Sequence, residues 1–131
     1  MNYKYVLHID GHVAAYRLGR ELGYNSCILK MKGYNDYNVW FSNKLVPYNT
    51  VTDNLDGDPN YYPIDIDADT DNKREEGSDS EFILGIKRIA EKPIASAEIA
   101  KNSRKLFDDI MNEKYMVEYM SGVLETVSTC F

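Results

Sequence analysis

The sequence is poor in the residues that mark secreted and membrane proteins. It has two cysteines, Cys27 and Cys130, too few for a disulfide scaffold, so nothing demands an oxidising compartment. No apolar run approaches the roughly 18 residues of a membrane span. The start, Met1-Asn2-Tyr3-Lys4, lacks the charged-then-apolar pattern of a secretory signal. The expected location is therefore the cytoplasm or a virion rather than the cell exterior. No Cys/His spacing suits zinc, and neither G-x-S-x-G nor a P-loop occurs.

The 131 residues are 44% apolar, and eleven of the sixteen aromatics are tyrosine. That is globular composition, and the length fits one domain over 1–131. A net charge of −6 argues against a non-specific nucleic-acid binder. The charge is unevenly spread. Asp53 to Glu81 holds eleven acidic and two basic residues, leaving ten acidic and thirteen basic elsewhere. With Gly57, Pro59, Pro63 and Gly77, residues 52–80 read as an irregular exposed acidic insertion, with room for a short strand at Tyr61–Ile66. Asp65, Asp67, Asp69 and Glu76 have EF-hand offsets, but Thr70 replaces the turn glycine and Lys73 fills a ligand position. A solvated loop is the better reading, and no metal site is expected.

Around this insertion the pattern is α/β. Tyr3, Tyr5, Leu7 and Ile9 alternate with Lys4, Val6 and His8, which predicts a strand buried on one face. Asp10-Gly11-His12 breaks it. Val13–Leu22 reads as a short helix capped by Gly23, and Ser26–Met31 as a second strand carrying Cys27. Strand, glycine turn, helix and strand make a Rossmann-like βαβ unit, normally parallel. Helices follow from Phe82 to Pro93, from Ser96 to Ile110 and over Tyr115–Leu124. The Met and Tyr stripe of the last is expected in the core, as are His8 and Trp40-Phe41.

The strongest candidate for chemistry is Asp10-Gly11-His12-Val13-Ala14-Ala15-Tyr16-Arg17. A loop between the carboxyl end of a strand and a helix is where open α/β sheets bind ligands. Free backbone N–H groups at the helix start favour phosphate. Gly11 allows close approach, and Ala14 and Ala15 keep the entrance open. His12 is placed to donate to a phosphate. Arg17, one turn in, can grip a diphosphate with its planar fork. The plainer alternatives are a simple turn and a structural Arg17–Glu21 pair.

Several segments then fall in the order of a known family: Tyr5–Gly11, Val13–Leu18, Ser26–Lys30, Trp40-Phe41, Leu45–Tyr48, Ile99–Phe107 and Tyr115–Leu124. Over residues 3–50 and 82–124 the chain resembles the C-terminal part of the CAP10-like glycosyltransferases, glycosyltransferase family 90. The resemblance implies part of the C-terminal lobe of a GT-B fold, with closing helices. It also implies sugar transfer from a nucleotide sugar, usually a UDP-sugar, to an acceptor hydroxyl, with no other cofactor. Gly11, His12, Val13, Ala14, Ala15, Tyr16 and Arg17 would line the donor nucleotide site. The family's N-terminal lobe supplies the acceptor site and the catalytic base. This chain begins after that lobe would have ended, so no catalytic residue is assigned and activity of the chain alone is not expected. It would act with a separate lobe or in a larger assembly. The competing reading is a non-catalytic interaction protein built on a truncated glycosyltransferase domain.

Overall fold

The computed structural model describes residues 4–9, 17–31, 41–64 and 80–130. Three strands, β1 (Tyr5–His8), β2 (Cys27–Met31) and β3 (Tyr62–Ile64), form a parallel sheet in the order β1-β2-β3. Tyr5 pairs with Cys27, His8 with Lys30 and Leu29 with Tyr62. Four helices lie among the described residues: α1 (Arg17–Glu21), α2 (Glu81–Ala90), α3 (Pro93–Ile110) and α4 (Glu113–Cys130). The fold is mixed α/β, with the β1-α1-β2 order expected from the sequence.

Alternation along β2 builds the core on both faces. Cys27 and Leu29 join Tyr48, Tyr62, Ile64, Ile89, Ala95 and Ile99 in one buried cluster. Ile28, between them, joins Leu18, Leu22, Phe41, Leu106 and Ile110 in the other. A fully buried Leu or Ile contributes about 1.5–3 kcal/mol. Helix α3 spans the two clusters and also binds the chain just before β2 and β3. Asn102 Nδ2 donates to Pro59 O at 3.0 Å, Ser103 Oγ to Asn60 O at 3.1 Å and Arg104 Nη1 to Gly23 O at 3.0 Å. It therefore holds the amino ends of those strands.

Several details depart from the sequence reading. In β1 the phase is shifted: Leu7 and Ile9 are 40% and 49% exposed, whereas His8 is buried. Tyr5 packs against the first cluster, but that cover thins along the strand, and α1 lies on the face of His8. The acidic segment is exposed where it starts but then enters the fold, with Pro59, Asn60, Tyr62 and Ile64 buried. Asn60 Oδ1 accepts from Val46 N and its Nδ2 donates to Lys44 O, both at 2.9 Å, so its amide is satisfied where it is buried.

Gly23 is not the left-handed cap. A 3₁₀ turn, Leu22–Tyr24, carries the chain past it, and Asn25 takes the positive φ of 58°. A Cβ on Gly23 would lie 2.9 Å from the Phe107 ring, so the glycine serves close packing against α3. Helix α3 begins at Pro93, three residues before Ser96, because proline fits a helix's first turn.

The largest departure is α4, where the Met and Tyr stripe expected in the core lies exposed. Asn112 joins α4 to α3: its Nδ2 donates to Asp109 O at 2.7 Å, and its Oδ1 caps Tyr115 N at 2.8 Å. Tyr115 packs against the second cluster, and beyond it no residue of α4 is buried. No helix among the described residues is long and apolar enough to cross a membrane.

Candidate functional site at the carboxyl end of β1

Because α3 occupies the amino ends of β2 and β3, the carboxyl end of β1 is the side on which the expected nucleotide loop falls. Gly11, His12, Val13, Ala14, Ala15 and Tyr16 lie outside the described residues, as do Asp10, Trp40 and the EF-hand-like acidic positions. Arg17 is described, as the first residue of α1. It is exposed, and its Nη2 donates to Ile9 O at 3.2 Å. The guanidinium is thereby drawn to the chain just beyond β1, on the side where the loop begins.

The structural pair expected as an alternative, Arg17 with Glu21, does not form. Glu21 turns inward, and its Oε2 lies 2.6 Å from His8 Nδ1 with both residues buried. With the carboxylate accepting, Nδ1 is the protonated ring nitrogen. The expectation of a core histidine holds, and its partner is the residue suggested for Arg17. Beside His8 in register is Lys30, also buried, with its ammonium 5.8 Å from the Tyr61 ring centroid. His8, Glu21 and Lys30 make a buried polar layer beneath the end of the sheet. Glu21 falls between Leu18 and Leu22 on the inner face of α1, which is the signal that could have found it.

A second ionisable group surrounds the turn after Tyr48. Lys92 Nζ pairs with Asp53 Oδ2, and Tyr48 Oη donates to Asp53 Oδ1 at 3.3 Å. The hydrogen bond from Lys92 holds the Asp53 carboxyl below its usual value, and the same bond raises Lys92. Burial raises the phenols of Tyr48 and Tyr62, whose rings are 5.5 Å apart. Tyr48, Asp53 and Lys92, with Pro93 and Ile94, line a shallow depression. Burial also pushes the Cys27 thiol up to about 12, which leaves it inert at neutral pH. Among the described residues, no cluster of three or more His, Cys, Asp or Glu is placed to hold a metal ion.

The chain is similar to proteins of invertebrate iridescent viruses. Uncharacterized protein 035R of Invertebrate iridescent virus 3 is 44% identical over 46 residues, which is 35% of this chain and 4% of that protein. Uncharacterized protein 179R of Invertebrate iridescent virus 6 is 26% identical over 134 residues, covering 98% of this chain and 10% of that protein. This chain thus spans no more than a tenth of the length of these relatives. No protein-family model matches it, and no solved structure does.

Proposed function

We propose that this chain is a nucleotide-sugar-binding half-lobe of the CAP10-like, GT-B glycosyltransferase type, binding a UDP-sugar at the end of β1. The observation that carries the proposal is the disposition of Arg17. It is exposed at the carboxyl side of the parallel sheet and hydrogen-bonded to Ile9 O, while Glu21 is engaged by His8. A guanidinium there is available to a diphosphate at the start of α1. Gly11, His12, Val13, Ala14, Ala15 and Tyr16 complete the proposed donor site by their place in the sequence.

Transfer requires donor and acceptor held between two lobes, with a base in reach of the acceptor hydroxyl. Glu21 is buried against His8 and is not placed to serve as that base. The chain alone would bind UDP yet support at most slow hydrolysis of a UDP-sugar. Titration of the purified chain with UDP in a calorimeter tests the binding, and absence of heat at millimolar UDP would sink the reading. Incubation with UDP-glucose or UDP-xylose, with and without an acceptor, tests the incompleteness. Robust acceptor-dependent UDP release would show a complete enzyme.

A second reading, a non-catalytic interaction module of a larger assembly, is favoured by the exposed apolar face of α4. It predicts no response to UDP.

A further inference from the structure

Helix α4 exposes seven large apolar side chains: Met116, Val117, Tyr119, Met120, Val123, Leu124 and Val127, at 38% to 64% of their surface. Their order is specific. Met116, Met120, Val123, Val127 and Cys130 follow one another at steps of four, three, four and three, the heptad seam of a helix that pairs with another helix. Val117 and Leu124 flank the seam on one side, and Tyr119 and Thr126 on the other. Glu118 and Glu125 both fall on the opposite, outward face. The seam and its flanks from Met116 to Cys130 carry no Asp, Glu, Lys, Arg or His.

We propose that α4 is the docking surface for a second copy of this chain, the two α4 helices lying antiparallel in a twofold pair. The seam is complementary to itself, Met opposite Val when the helix is reversed, and charge permits a second copy. A chain of net charge −6 would repel itself through an acidic seam, but its seam is neutral and its carboxylates face away.

Layer volume selects the antiparallel sense. In an antiparallel pair Met116 faces Val127 of the second copy and Met120 faces Val123, so all four central layers combine one Met with one Val. A parallel pair would stack two Met–Met layers at one end and two Val–Val layers at the other, crowded at the first and loose at the second. Antiparallel helix dipoles also attract. Because Asn112 and Tyr115 anchor the start of α4 to the core, this sense puts the two sheets at opposite ends of the pair. The symmetry is that of an isologous dimer. The interface lies apart from β1, so it holds whether or not UDP binds.

Light scattering on the full chain should give twice the monomer mass. Val123→Glu should raise the dissociation constant at least tenfold while the chain keeps its folded circular dichroism spectrum, because Val123 is exposed in the single chain. Orientation is read by cross-linking. In a Cys130→Ser background, Met116→Cys with Val127→Cys should oxidise to a dimer joined between positions 116 and 127, identified by peptide mapping. The two positions are too far apart on one helix to bridge. A monomer mass at every concentration, a Val123→Glu chain that still dimerises, or bridges joining 116 to 116 and 127 to 127 would overturn the proposal.

Discussion

His8 Nδ1 and Glu21 Oε2 meet at 2.6 Å between the end of β1 and the end of α1, with neither residue open to solvent. A buried polar pair is costly to break from one side, because the remaining partner keeps its desolvation without its hydrogen bond. Glu21→Ala should therefore lower stability by about 1–3 kcal/mol. Glu21→Gln, whose carbonyl still accepts from Nδ1, should lose less. Urea denaturation followed by circular dichroism measures both. Equal losses for the two variants would mean that the charge of the carboxylate, which both remove, carries the effect rather than the hydrogen bond that Gln keeps.

Arg17→Ala should weaken UDP binding by about 1.5–3 kcal/mol, the range for a hydrogen bond to a charged group. The melting temperature should stay near that of the wild type, since Arg17 is exposed and the Glu21 carboxylate is already engaged. Arg17→Lys should recover only part of the affinity, because the planar fork is lost. Calorimetry of the three proteins against UDP decides it.

At Gly23 the expected effect is steric. A methyl group there would meet the Phe107 ring at 2.9 Å, so Gly23→Ala should cost about 1–3 kcal/mol as overpacking. Adding Phe107→Leu should remove part of that penalty. Were the glycine a left-handed cap instead, the second change would bring no relief. Thermal melts of the single and double variants separate the two cases.

The Cys27 thiol gives a pH prediction with a definite sign. Its folded value of about 12 lies above the ordinary 9.0 because burial disfavours the thiolate. Below the unfolded value both states hold the proton and the contribution to stability is complete. Between the two values the unfolded state ionises first, so stability falls as pH rises from 9.0 towards 12. Cys27→Ala should flatten this alkaline decline relative to its own neutral-pH stability. A thiol reagent at neutral pH should label exposed Cys130 promptly and buried Cys27 only after denaturation.

The parallel β1-α1-β2 arrangement was legible because its signals are local: alternation, a glycine turn and a short apolar run. The burial of His8 was expected, but its partner was not: the arrival of α1 beside it, with Glu21 pointing in, required the fold. Asn60 was hidden for a similar reason. It sits in a stretch whose composition reads as loop, and its burial depends on backbone groups of Lys44 and Val46 that no periodicity announces. The helical period of α4 was correctly read, but an apolar stripe alone does not distinguish a core from a helix partner. At the candidate site, sequence order singled out Arg17. Its contact with Ile9 O required the fold.

The hold of α3 on the strand ends has a consequence for biosynthesis. Its three side-chain-to-backbone bonds join residues 43, 43 and 81 positions apart. A growing chain therefore contains all three strands well before Asn102, Ser103 and Arg104 are made. Until then the carbonyls of Gly23, Pro59 and Asn60 have no α3 side chain to bind, and the cluster around Ile28 lacks Leu106 and Ile110. Closure of the sheet is thus tied to completion of α3, a late event that favours slow folding. A nascent chain halted before Asn102 would expose Ile28 and Leu18 to any apolar surface nearby, and would be the species a chaperone meets.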